Sequence, residues 1–309
     1  MSDDDVAFDR DFPLPVGTVE QVAPGIRRIV APNPGPFTFT GTVTYIVGTG
    51  KVAIIDPGPK SDAHRDAVLD AVRGESVTHV FVTHTHRDHS PGAAAIKAAT
   101  GATVLAQGIH RAARPSHENE KPALEAGNDR DFAPDALLAD GEVITGGDWA
   151  LEAIAVPGHT ANHMVYAWPG RGLTFVGDHI MGWSTSVVAP PDGSMADYMA
   201  SLEKVAAREE DTYFPAHGPH IREARRFARS YIRHRQAREA AILYRLAKGA
   251  ADIPTLVRAI YIGIDPRLVP AAGLSVLAHM EDLVERKVVA TDGTPTLEGV
   301  YRLAGPLPG

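Results

Sequence analysis

Apolar runs recur along this chain and stop repeatedly at the same kind of residue. Val77-Thr78-His79-Val80-Phe81-Val82-Thr83 reads as a buried strand and ends at His84. Leu151 to Val156 is a second run, followed by Pro157-Gly158 and His159. Leu173-Thr174-Phe175-Val176 leads through Gly177 into Asp178, and Thr212-Tyr213-Phe214 leads through Pro215-Ala216 into His217. Val43 to Val47 and Val52 to Ile55 read as a hairpin around Gly48-Thr49-Gly50. Helical stretches are expected over Lys60 to Arg73 and Ser194 to Arg208. Another is expected after Ser90 as N-cap, with Pro91 as the first helical residue and Gly101 just past the end. Beyond Pro219 the pattern turns helical. Leu256 to Ile260 and Leu274 to Val284 carry helical spacing, and Val288 to Ala290 and Val300 to Leu303 flank a turn at Asp292-Gly293. Helices followed by a hairpin fit a winged-helix module.

The residues at the strand ends change the picture from fold to chemistry. His84-Thr85-His86-Arg87-Asp88-His89, with His159, Asp178 and His217, offers seven imidazole and carboxylate donors. These are groups that zinc accepts at roughly 2.0 to 2.2 Å. Seven are too many for one tetrahedral ion. They suit two ions sharing a bridging carboxylate, about 3.5 to 4 Å apart, with a reactive hydroxide between them. Loops at the C-terminal ends of neighbouring strands are where one sheet edge gathers such groups.

This set, with the Pro-Gly-His-Thr segment at 157–160, Gly177-Asp178 after a strand and Ala216-His217-Gly218, resembles the metallo-β-lactamase superfamily over residues 40 to 220. Gly177 to Trp183, Ala189 to Ser194 and Tyr231-Ile232-Arg233-His234-Arg235 are similar to the branch called beta-lactamase-like protein 2. The resemblance implies an α/β fold, an αββα sandwich followed by a small winged-helix-like domain. It also implies that His84, His86 and His159 hold one ion, that Asp88, His89 and His217 hold the other, and that Asp178 bridges. The expected organisation is an acidic lead-in over 1–20, a catalytic domain over 21–225 and the C-terminal module over 226–309. The branch's usual Gly-Thr-Asn-Thr-Tyr reads Gly41-Thr42-Val43-Thr44-Tyr45 here, so Val43 bears on any substrate carried over from relatives.

Composition narrows the setting. The 309 residues suffice for one large domain and a small one. There is no cysteine, which removes disulfides and thiolate ligands. Met1-Ser2-Asp3-Asp4-Asp5 lacks a signal peptide's basic start, and no apolar run spans a bilayer, so a cytoplasmic enzyme is expected. A net charge of −8 argues against wholesale coating of nucleic acid. Residues 108 to 135 are polar and aperiodic, either a substrate loop or a solvated connection.

Other residues carry two readings each. Asp56, before Pro57-Gly58, either orients a ligand histidine from behind or forms a turn. Asp88 and His163 are the candidate catalytic residues; His163 would protonate a leaving group or contact substrate, against the reading of a satisfied structural histidine. His179 is turned away from the metals by strand alternation, and Tyr198 and Trp183 read as core rather than pocket lining. Arg225, Arg226 and Arg229, in a basic helix with Arg222, Arg233, Arg235 and Arg238, could follow phosphates or form a solvated face. The acids Glu281, Asp282 and Glu285 oppose a duplex-DNA surface.

The expected function is a dinuclear metal hydrolase with two divalent ions per chain, zinc first and iron or manganese as alternatives. The branch resemblance points to single-stranded RNA as the substrate. Thioester, ester and β-lactam substrates suit the same metals. A diiron redox protein and a non-catalytic RNA-binding or scaffolding protein are the readings from other classes. The first is opposed by His86, where such proteins place glutamate, and the second by the full ligand set.

Overall fold

In a computed structural model, which describes residues 6–117, 120 and 127–306, two sheets lie face to face between helices. The acidic start Met1–Asp5 and residues 118–119 and 121–126 of the polar loop lie outside the described residues. The first sheet is β1 (Glu20–Ala23), β2 (Ile26–Val30), β3 (Val43–Val47), β4 (Lys51–Ile55), β5 (Ser76–Phe81), β6 (Thr103–Ala106) and β7 (Ala136–Leu137), bonded in that order. It is antiparallel as far as β4 and parallel from β4 to β7. The second is β8 (Val143–Gly146), β9 (Trp149–Ala155), β10 (Met164–Trp168), β11 (Leu173–Gly177), β12 (Thr212–Pro215) and β13 (Ile221–Arg222). Every residue of β3, β10 and β11 is buried, because each strand is covered on both faces.

Three apolar clusters make the sandwich. Tyr45, Ile55 and Phe81 of the first sheet meet Leu151, Tyr166 and Phe175 of the second. Helices α1 (Asp62–Ala71) and α2 (Gly92–Thr100) cover the outer face of the first sheet through Val68 and Ile96. Helices α3 (Met195–Ala206) and α4 (Ala224–Leu246) cover the second through Tyr198, Leu202, Ala228 and Tyr231. The α2 start differs from the expectation: Pro91 occupies the cap, because the Ser90 hydroxyl is engaged by the His86 carbonyl and Asp129.

The C-terminal module has its own core. It comprises β14 (Ala251–Asp252), α5 (Ile253–Ile260), α6 (Val269–Glu285), β15 (Val289–Thr291) and β16 (Val300–Leu303), and β16 lies between the other two strands. Helix α4 contributes to both cores, Ala228 and Tyr231 to one and Ile242 and Leu246 to the other. The boundary expected at residue 225 therefore falls inside one helix. In the lead-in, Phe8 packs edge-on against Phe227 and Tyr231, and Phe12 is buried beneath the Arg28 guanidinium. No helix among the described residues is long and apolar enough to cross a membrane.

Burial of two histidines outside both donor groups is expected to make stability depend on pH. Burial pushes His64 down from 6.5 to about 4 and His279 to about 3. His64 shares a 2.7 Å hydrogen bond with the Thr44 hydroxyl, and His279 faces Arg235, Arg238 and Arg286. The unfolded chain takes up these protons near pH 6.5 and the folded one resists them. The stability is therefore complete above 6.5 and declines as the pH falls from there toward 4 and below. Thermal melting across pH 7 to 4 is expected to show a falling Tm, with a shallower slope in His279→Leu. Parallel slopes would remove His279 from this account.

Candidate metal centre

Each of the seven donors sits where a strand releases the chain. His84, His86, Asp88 and His89 lie between β5 and α2; His159 follows β9, Asp178 follows β11 and His217 follows β12. Two glycines make the approach possible. Gly177 has φ +51° and its place leaves no room for a Cβ, which would stand 2.8 Å from the Thr83 hydroxyl and 2.9 Å from His163. Gly158, at φ +140°, lies against the backbone of Tyr198, 2.3 Å from where a Cβ would be.

The donors form two groups. His84, His86, His159 and Asp178 present ligand atoms within 4.8 Å of one another, and so do Asp88, His89 and His217. In the first, Nδ1 of His86 lies 2.9 Å from Nε2 of His84 and 3.2 Å from Nε2 of His159. In the second, Nε2 of His217 is 3.3 Å from both Asp88 Oδ2 and Asp178 Oδ1. Asp178 joins them, since its Oδ2 is 3.7 Å from His159 Nε2 while its Oδ1 is 3.6 Å from His89 Nε2. That is the shape of a bridging carboxylate.

A cation fits these residues on two grounds. His89 Nε2 and Asp178 Oδ1 are buried and lack hydrogen-bond partners, although carboxylate oxygens stand 3.2 and 3.6 Å from the first. Buried polar atoms left in this way are costly unless something satisfies them. Protonation is the second ground. Burial holds His84 well below its ordinary value, His86 at about 3, and His159 below 6.5, so all three present lone pairs. Burial alone would raise Asp88 and Asp178, but His89 and His217 outweigh it and keep both carboxyls ionised. Burial would likewise lower His217, yet Asp178 and Asp88 lift it to about 9, and His89 is raised in the same way. A cation seated there displaces those protons, because only neutral imidazole ligates.

Groups behind the candidate ligands hold their side chains in place. Asp56, held at φ +49° in its turn, receives the Thr83 N–H and hydroxyl at 2.8 and 2.7 Å and lies 2.9 Å from Nδ1 of His89. It both shapes the turn and meets the ring of His89, a candidate ligand. Nδ1 of His159 lies 2.6 Å from the carbonyl of Val187. The Asn33 amide holds Thr42, whose hydroxyl donates to Asp88 Oδ2 at 3.0 Å. Spacing along the chain gave no signal for Asn33, Thr42 or Val187. Val43 belongs to the inter-sheet core, so its departure from the branch pattern does not reach the site; Thr42, one residue earlier, does.

Other candidates fall elsewhere. His163 is 1 % exposed, its Nε2 accepts the Asp178 N–H at 3.2 Å, and its ring stacks on His84. That burial favours the structural reading of His163 over the proton donor. His179 is fully buried against Tyr198, outside both donor groups, and Tyr198 is core. Trp183 is half-buried and stacks on Phe39 beside Gly218, which places it next to His217 instead of in the core. Arg225, Arg226 and Arg229 are exposed on α4. Arg226 borders a cavity of about 470 Å³ with His220 and Phe227, and none of the seven donors lines it. The described part of the 108–135 loop backs the ligand segment: Arg87 and Asp129 exchange backbone bonds with Gly127 and Thr85, and Asn128 bonds Asp192.

Comparison with known proteins adds to this geometry. The model of the metallo-beta-lactamase superfamily matches residues 37–217, and that of the beta-lactamase associated winged helix domain matches 253–296. An atrochrysone carboxyl ACP thioesterase of Paecilomyces divaricatus is 33% identical over 207 residues, 66% of this chain. The chain spans only 59% of that relative's length. A beta-lactamase-like protein 2 homolog of Drosophila melanogaster is 30% identical over 277 residues, 87% of this chain and 90% of the other. The crystal structure of a metallo-beta-lactamase family protein from Thermus thermophilus shares the fold, with a TM-score of 0.74 and 23% identity over 92% of this chain and 100% of that one.

Proposed function

The chain belongs to the metallo-beta-lactamase superfamily and carries that family's associated winged-helix domain, and we propose that it is a dinuclear, zinc-dependent hydrolase of acyl thioesters. The observation that carries the two-metal reading is Asp178, whose two oxygens face separate groups of imidazoles. Divalent ions held there supply Lewis acidity and lower the pKa of a coordinated water. The chain's own residues hold and orient them: Asp56 sets the His89 ring, the Val187 carbonyl sets His159 and Thr42 sets Asp88. Asp88 and His86 are the least buried of the ligands and mark the side from which substrate arrives. Zinc suits imidazole and carboxylate donors in a chain without thiolates.

The choice of thioester over RNA rests on the surroundings. The name of the Paecilomyces relative is that of a thioesterase. Beside the proposed ligands stands the Phe39–Trp183 stack, an apolar surface that suits an acyl group better than a polyphosphate. The cavity bordered by Arg226 is separate from the donors. The test is the zinc-loaded protein on an acyl thioester, single-stranded RNA and a chromogenic cephalosporin in parallel. Thioester cleavage, abolished by chelator, is expected to lead. RNA cleavage without thioester turnover would overturn the substrate, and no turnover of any of the three would overturn the hydrolase. Replacing Arg225, Arg226 and Arg229 together by Ala is expected to leave the thioester rate unchanged; a large loss would return phosphate contact to the account.

A further inference from the structure

The segment Tyr231-Ile232-Arg233-His234-Arg235 in α4 has no part in the ligand set, yet two of its side chains are buried against the loop that leaves Asp178. Tyr231 and Arg235 are four residues apart and share one face of the helix. The Tyr231 hydroxyl donates to the carbonyls of Met181 and Ser184 at 2.6 Å and accepts the Met181 N–H at 3.0 Å. Arg235 is 3 % exposed, donates to the Ser186 carbonyl and lies 5.3 Å above the Tyr198 ring. No carboxylate among the described residues pairs with it.

A guanidinium buried without an anion bears a large desolvation penalty, so its hydrogen bond and ring contact must hold something that matters. What it holds is a loop that begins at Asp178 and ends at Val187, whose carbonyl meets the ring of His159. The Ser186 hydroxyl donates to the carbonyls of Asp178 and His179, at 2.5 and 3.0 Å. The next carbonyl, Val187, is the one that orients His159. The Tyr198 hydroxyl, beneath Arg235, donates to the His179 carbonyl at 2.7 Å. The backbone from Asp178 to Val187 is thus tied at Met181, Ser184 and Ser186 by one helix, and both its ends reach the metal groups.

We propose that Tyr231 and Arg235 are positioning residues for the ligands Asp178 and His159, so that α4 sets the metal affinity of the centre from outside it. The inference rests on the two-metal reading. Partners behind a ligand are worth about 10- to 100-fold in metal affinity. Arg235→Met keeps the stem and removes the donors, and Tyr231→Phe removes one oxygen. Affinity is read by competition of Zn²⁺ with a chromophoric chelator, and ligand geometry by the visible spectrum of the Co²⁺-loaded protein.

The expected result for Arg235→Met is about ten-fold or greater weakening of at least one ion and a changed Co²⁺ spectrum. Tyr231→Phe should move both readouts in the same direction by less, and it decides the matter if Arg235→Met fails to fold. Arg235→Lys, which keeps the charge and one donor, should recover part of the affinity. Wild-type affinity and spectrum in the folded variants would overturn the proposal while leaving the two-metal reading intact. A wild-type protein that takes up no divalent ion would overturn both.

Discussion

Asp178→Ala is expected to strip both ions from the purified protein and to lower hydrolysis by more than about 10²-fold, since groups merely behind a ligand are already worth about 10 to 100-fold. Among the described residues the carboxylate reaches both donor sets, with Oδ1 3.3 Å from His217 and Oδ2 3.7 Å from His159. Its removal also takes a negative charge from a buried site, leaving His217 to face Asp88 alone and His89 to face Asp88 and Asp56. Each ion loses a ligand and the pair loses its shared neutralising charge. Other single ligand changes, such as His159→Ala, touch one group only and should cost one ion before the other. Elemental analysis of protein purified without chelator gives the count, and a thioester assay gives the rate. An Asp178→Ala variant that retains two ions and full turnover would show that the bridge lies elsewhere.

The placing of the donors was legible in the sequence because burial is written there as uninterrupted apolar runs. β11 is buried at every position, and a chain that must leave a fully covered strand does so at its end, where Gly177 and Asp178 stand. Parity was harder. Val43 drew attention through its departure from a pattern, but alternation along β3 sends it into the core and leaves Thr42 to reach Asp88. The arginines of α4 were harder still. Spacing alone gives Arg225, Arg229 and Arg235 similar standing, and only the packing of α3 and the 178–187 loop against the helix makes Arg235 buried while the others stay exposed. Partners brought together from far apart in sequence, such as Thr42 with Asp88, leave no local trace. The start of α2 failed for a related reason: Ser90 has the right chemistry for a cap, but tertiary partners claim its hydroxyl.

A chain ending at residue 230 is expected to be poorly soluble or inactive. Helix α6 supplies Ala278 to the catalytic core as well as Val276, Leu277 and Met280 to its own core, and Tyr231 belongs to the catalytic side. Losing a fully buried aromatic costs about 3 to 5 kcal/mol, and each hydrogen bond lost with it about 1 kcal/mol. That sum rivals the lower end of domain stability, about 5 to 15 kcal/mol. The loop from Met181 to Val187 would lose its ties at the same stroke. The converse fragment, 235 to 309, should not read DNA. The face of α6 that loses its cover with the catalytic domain carries Ala278 and Glu281, and an acidic face does not suit a groove lined by phosphates. Its acids point the same way, with Glu281 bonded to Arg114 of the polar loop and Asp282 to Arg286. Gel filtration and thioester turnover of the truncation, and a duplex-binding titration of the fragment at physiological salt, check the two halves. A soluble and fully active chain ending at 230, or tight duplex binding by the fragment, would show that the module serves something other than the hydrolase.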